Sequence, residues 1–398
     1  MTSAVIADVQ EVRVLNSHLD WTLELWIRLD DGRSGRGAAP KGETPSVYEP
    51  AGTAITDRRQ AVVDEIRAVL VGADVDQAEL DGQLEARRPS WGPAVVFALS
   101  VAFHEATWSN EPAPVPGRSP RLLFNLLNGG LHAYTNPIVS DLTEILVLPR
   151  TDGIERSIDG YRRLLAEART ILSDVPTRTI GANRVHDLGG PTNDTALGLA
   201  RRILDRTGLD DEFELAVDAS AGDWWDGDGY RLPVTGDRLD RRALADWWLG
   251  LIDRHGLAWV EDPFAETDAE GWRLLHDERP AGCRLLGDNL TSTLPAELER
   301  KAGLVDGVLL KPDQNGTVSG SRRFAALARE HGLALITSHR SIETDSPFLV
   351  HLSHDLGADA IKVGPYSDFS SVLRSNELIR ISDEVAAGSL GAATVASR

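Results

Sequence analysis

Six residues of this chain stand at or next to the ends of short apolar runs: Asp218 after FELAV, Glu261 after LAWV, Asp288 after RLLG, Lys311 after GVLL, His339 after LALITS and Lys362 after AI. One carboxylate in such a place is ordinarily the N-cap of the next helix, and one histidine ordinarily a satisfied structural group. Three carboxylates brought to one mouth repel each other unless a cation neutralises them, and hard oxygen donors suit Mg²⁺. Asp218, Glu261 and Asp288 are therefore candidate metal ligands.

The lysines extend the reading. Of 41 basic residues only Lys41, Lys301, Lys311 and Lys362 are lysine. Any one of them can be a chance survivor. Arginine stays protonated near neutral pH, whereas a lysine whose pKa is depressed by a neighbouring cation can serve as a base. A carbon acid next to a carboxylate is very weak, and Mg²⁺ stabilises the enediolate left by proton loss. The residue set thus defines a reaction class, removal of a proton α to a carboxylate.

These residues must be placed by a regular scaffold. Apolar strands are expected at 213–220, 257–264, 284–290, 307–313, 333–340 and 360–364, with helices such as 240–256 and 319–332 between them. Alternating strands and helices at that spacing, with no GxGxxG after a strand, predict a (β/α) barrel whose active site lies at the C-terminal strand ends. Before it, residues 5–29 read as two alternating strands around NSHLD, 33–50 as a Gly- and Pro-rich loop, and 56–71 and 92–107 as helices. The Pro-rich stretch 112–120 suggests a boundary, giving an α+β N-terminal cap domain over 1–120 and a barrel over 121–398. The alanine-rich tail after Ile381 carries no motif and is expected to be mobile.

Composition narrows the partners. With 398 residues and a net charge of −20, the chain is long enough for two domains and repels phosphate backbones, so nucleic acid is not expected. An anionic substrate then needs a local positive site. No apolar run approaches the ~20 residues of a membrane span. The first residues lack a signal-peptide layout, and the lone Cys283 fits a reducing cytoplasm.

Longer motifs carry a resemblance. VEDPF (260–264), GDNLT (287–291), LLKPDQNGT (309–317), SHRSIET (338–344), IKVG (361–364) and FNLLNGGLHA (124–133), with NSHLDWTLE (16–24) and APKGETP (39–45), resemble the enolase family over nearly the whole chain. The resemblance implies a cap packed on a TIM-like barrel whose first strands are partly antiparallel, and two Mg²⁺ per site. It implies that Asp218, Glu261 and Asp288 hold the first Mg²⁺ and Thr44 the second. Lys311 would be the base, Lys362 the grip on the substrate carboxylate, and Arg340 and Ser341 the phosphoryl pair. His339, His132 and Glu144 match active-site positions. A homodimer is implied, with Glu24 and Arg380 at positions that pair across subunits.

Departures from the family are equally specific. Leu188 stands where a GDEGG-like segment carries an acid that helps expel a hydroxyl, within VHDLGG. His186 replaces a glycine two residues earlier, Lys41 and Glu43 replace small residues, Pro45 a threonine, and Thr143 a glutamine. Lys41 and His186 are thus candidate contacts to a second substrate. Three functional expectations follow: a specialised relative resembling carboxyphosphonoenolpyruvate synthase that acts on a 2-phosphoglycerate-like acid to form an enolpyruvate product, a glycolytic enolase, or a non-catalytic protein on the same scaffold.

Overall fold

The computed structural model describes residues 3–42, 48, 59–108, 119–129, 134–151, 153–190 and 192–386. The N-terminal alternation becomes an antiparallel hairpin of β1 (Ala4–Leu15) and β2 (Trp21–Leu29). Its turn is closed by the Asn16 side chain, whose Oδ1 accepts the N–H groups of His18 and Asp20, both at 3.0 Å. β3 (Ser34–Ala38) and β4 (Asp74–Val75) complete a sheet of order β3-β2-β1-β4. β3 lies inside the segment expected to be loop. Its glycines are there for packing: a Cβ on Gly35 or Gly37 would run into the backbone of the helix beneath, at Ala102 and Ala98. Glycine here reflects close approach of a strand, not a turn.

Three helices cover the sheet: α1 (Arg59–Leu70), α2 (Gln77–Trp91) and α3 (Pro93–Thr107). α2 was not foreseen; Asp76 and Glu79 close a capping box at its start, which offsets its polar sequence. α3 is apolar on all sides because it is buried on all sides. Leu99 and Phe103 join the cap core, while Phe97 and Val101 join the core of the following barrel.

The barrel strands are β5 (Arg121–Asn128), β6 (Glu144–Pro149), β9 (Phe213–Asp218), β12 (Trp259–Glu261), β13 (Arg284–Gly287), β14 (Gly307–Leu310), β15 (Ala334–Ser338) and β16 (Ala360–Lys362). Two small hairpins, β7 (Thr177–Ile180) with β8 (Asn183–His186) and β10 (Tyr230–Arg231) with β11 (Arg238–Leu239), lie outside it. The closed order is β12-β13-β14-β15-β16-β5-β6-β9, with β6 antiparallel to both neighbours and the other pairs parallel. The outer helices are α4 (Ile154–Leu172), α5 (Thr192–Thr207), α6 (Arg241–His255), α7 (Ala269–Glu278), α8 (Pro295–Lys301), α9 (Pro312–Asn315), α10 (Val318–Glu330), α11 (Phe348–Leu356) and α12 (Phe369–Ala386). α12 continues past Ile381 to Ala386, so the expected mobile tail cannot begin at Ile381.

Cap and barrel meet at a charged histidine. His351 on α11 lies between Glu105 of α3, at 2.9 Å, and Glu377 of α12, at 3.2 Å, and stacks on Trp108 at 3.9 Å. Burial opposes its charge, but the two carboxylates prevail and raise its pKa from 6.5 to about 9. A raised folded pKa stabilises fully below the unfolded value and is lost as pH climbs through the folded one. Stability should therefore fall between about pH 6.5 and pH 9, by up to about 3 kcal/mol from this group. Denaturant unfolding across that window checks it: His351→Gln should be less stable at pH 6 and should flatten the slope. An equally steep slope in the variant would refute the assignment.

Candidate active site

The six strand-end residues converge. Asp218, Glu261 and Lys362 are the last residues of β9, β12 and β16; Asp288, Lys311 and His339 come one residue after β13, β14 and β15. All but the deeper Glu261 line one cavity of about 470 Å³, together with Glu144, Thr143, Arg340 and Ser341. Gly42 also lines it, pressed so close to the Arg340 guanidinium that a Cβ would collide.

Lys362 Nζ sits among three carboxylates, 2.5 Å from Glu144 Oε2, 3.0 Å from Asp218 Oδ2 and 3.1 Å from Glu261 Oε1. Burial disfavours its charge, but Asp218, Glu144 and Glu261 outweigh that and hold the pKa well above the ordinary lysine value. Lys362 is thus a cation suited to gripping an anion, in line with the carboxylate-binding role that the resemblance implies for it. Lys311 Nζ donates to Asp288 Oδ2 at 2.5 Å, and its backbone N–H is held by Thr293 Oγ1 at 2.9 Å. Glu144 is steadied by Asn125, whose amide donates to Oε1 at 2.6 Å.

The carboxylates remain underneutralised. Burial, then Asp218, pushes Glu261 well above the usual carboxylate range; burial, then Asp288, does the same to Asp262. Asp288 Oδ1 is buried with no hydrogen-bond partner. Among the described residues no three His, Cys, Asp or Glu side chains form a ready-made metal cage, because the carboxylates close on the two ammonium groups instead. Even so, hard oxygen donors, excess negative charge and an orphaned buried oxygen fit a divalent cation.

His339 is neutral: burial, with Arg374 and Lys362 nearby, lowers its pKa well below the ordinary value. Its Nδ1 lies 3.0 Å from the Lys362 carbonyl, so Nδ1 carries the proton and Nε2 is the free acceptor. Arg340 is buried, 3.3 Å from Asp313 Oδ2. Its backbone N–H donates to Glu343 Oε1 at 2.7 Å, and Arg374 clamps Glu343 Oε2 at 2.8 Å.

Not every expected residue reaches the cavity. Lys41 is exposed and pairs through its backbone with Ile342. His186 Nδ1 faces the Val175 carbonyl at 3.3 Å, in the β7–β8 hairpin. Leu188 packs against the barrel core. None of the three is a lining residue. Thr44 and His132, with Glu43 and Pro45, lie outside the described residues.

Sequence reading missed Asp262. Its carboxylate accepts the N–H groups of Asp288 at 3.0 Å and Asn289 at 2.8 Å, fixing the loop that carries Asp288. Its backbone is left-handed, φ 45°, uncommon for a residue with a Cβ and frequent at functional sites. The charge within VEDPF was the available signal. Arg374 and Glu343 were also missed, because their pairing spans elements far apart in sequence.

A family model described as enolase, C-terminal TIM barrel domain, matches residues 114–396. The chain is 27% identical to the enolase of Natranaerobius thermophilus over 424 aligned positions, covering 96% of each chain. It is 27% identical to the enolase of Kineococcus radiotolerans, covering 96% of this chain and 95% of that one.

Proposed function

The chain belongs to the enolase family and is a lyase-type enzyme, and from that premise we propose that it removes the α-proton of a 2-phosphoglycerate-like acid in a Mg²⁺-dependent reaction. The observation that carries the reading is the pairing of Lys311 and Lys362 with a carboxylate cluster in one cavity that Arg340 and Ser341 also line. Lys311 takes the proton. Lys362, held cationic, binds the substrate carboxylate, and Arg340 and Ser341 bind the phosphoryl group. Neutral His339 offers Nε2 as an acceptor at the same wall, and Glu144 keeps Lys362 in place. Asp218, Glu261 and Asp288 would hold Mg²⁺, with Thr44 as a ligand to a second ion. Bound Mg²⁺ supplies neutralisation of the charge that grows as the α-proton leaves.

We read the chain as a specialised relative resembling carboxyphosphonoenolpyruvate synthase rather than a glycolytic enolase, because in its sequence Leu188 stands where the family carries the acid that assists hydroxyl loss. General acids contribute roughly 10²–10⁴-fold. With Mg²⁺ and 2-phosphoglycerate alone, α-proton exchange into D₂O should outpace phosphoenolpyruvate formation. Turnover to phosphoenolpyruvate at roughly 10–10² per second would return the protein to ordinary enolase chemistry. Leu188→Glu should not rescue elimination, since its side chain packs on the core; it should instead lower stability by about 1–3 kcal/mol. A cytoplasmic location fits a phosphorylated substrate, and no helix among the described residues is long and apolar enough to cross a membrane. A homodimer pairing Glu24 with Arg380 is part of the reading. Glu24 already accepts from Trp26 Nε1 at 2.7 Å and lies 3.5 Å from Arg36, so Arg380 would compete with Arg36.

A further inference from the structure

We propose that the substrate carries an apolar or aromatic group beyond its phosphorylated three-carbon core, and that Leu19, Tyr134 and Phe369 contact that group in the active-site cavity. This rests on the reaction read above. Large apolar side chains exposed singly need no explanation, but their convergence on a ligand cavity does. Leu19 at 78% and Phe369 at 71% are the two most exposed large apolar residues described, and both line this cavity, as does Tyr134 at 42%. They come from three distant parts of the chain: the cap hairpin turn, the segment between β5 and β6, and the first residue of α12. No local sequence rule gathers them.

Leu19 is also held at a cost. Its φ of 62° is left-handed, a conformation that suits glycine or asparagine better than leucine. The turn is fastened to the loop that follows Arg340: Ser17 N–H donates to the Glu343 carbonyl at 2.8 Å, and Glu343 N–H to Ser17 Oγ at 3.1 Å. Within one protomer, a leucine left exposed in a strained conformation gains the fold nothing. An apolar ligand group against it would. The volume agrees: about 470 Å³ lies within the range of about 300–1,000 Å³ typical of pockets for drug-sized ligands, larger than a three-carbon acid needs. Cationic groups at Lys362 and Arg340 hold the anionic core, which leaves the exposed apolar trio for the remainder.

The test compares 2-phosphoglycerate with its 3-alkyl and 3-aryl derivatives, following α-proton exchange by NMR with Mg²⁺ present. At least one derivative should exceed the parent acid in kcat/KM by roughly tenfold. Phe369→Ser and Leu19→Asn should each reduce that ratio, while Leu19→Asn raises Tm by relieving the backbone. A wild-type preference for the unsubstituted acid, or a ratio that neither variant moves, overturns the proposal. If 2-phosphoglycerate exchanges and no derivative does, only the apolar contact falls. If no acid exchanges, the reaction reading falls and takes this inference with it.

Discussion

Lys311→Ala should abolish deuterium wash-in at the α-carbon of 2-phosphoglycerate, a loss of roughly 10²–10⁴-fold or more. The residue follows β14 directly, and its backbone is pinned by Thr293, so its ammonium is aimed into the cavity rather than left to sample it. Lys311→Arg should fail to restore exchange. Arginine keeps a positive charge in the same place, so binding of the anion is retained, but it does not give up its proton to become a base. The comparison separates the two roles a cation can have here. If the arginine variant exchanged at the wild-type rate, Lys311 would be an anchor and the base would lie elsewhere. Asp288 adds a coupling. It is the partner of Lys311 at 2.5 Å and also a proposed Mg²⁺ ligand, so a cation bound there competes with Lys311 for the same carboxylate. Exchange should therefore depend on Mg²⁺ more steeply than substrate binding does.

Asp288→Asn should weaken Mg²⁺ binding by at least about ten- to a hundredfold, the range found when even the outer groups that orient metal ligands are removed. A readout independent of turnover is thermal unfolding. A ligand that binds only the folded state stabilises it by RT ln(1 + [L]/Kd), about 2.7 kcal/mol at a hundredfold excess over Kd. Wild type should gain Tm on addition of Mg²⁺, and the variant should gain far less at the same concentration. The physical reason lies in the cluster. Asp218, Glu261, Asp262 and Asp288 are all buried, and Glu261 and Asp262 are driven well above the ordinary carboxylate range by burial and by the neighbouring charges of Asp218 and Asp288. A dication relieves that repulsion, and Asp288 supplies a buried oxygen that nothing else satisfies. Equal Mg²⁺-dependent stabilisation of both proteins would remove Asp288 from the ligand set.

The strand-end cluster was legible because a barrel strand has a short, apolar signature and its end is marked by the first charge after it. Asp218, Glu261, Asp288, Lys311, His339 and Lys362 needed no tertiary information beyond the rule that parallel barrel strands share one active end. Two-residue periodicity likewise disclosed β1 and β2. Long-range approach was not legible. β3 looked like loop because glycine serves turns and close packing alike, and only the position of α3 decides between them. Lys41 and His186 looked like added site cations, but backbone pairing with Ile342 and hairpin packing turn them elsewhere. The surroundings of Lys362 were hidden for a related reason. Sequence shows which charges exist, whereas a pKa depends on which of them lie within a few ångströms. Three carboxylates around one buried ammonium, and the Asp262 and Arg374–Glu343 braces behind the loops, arise from contacts between residues distant in the chain. Those contacts exist only once the barrel is closed.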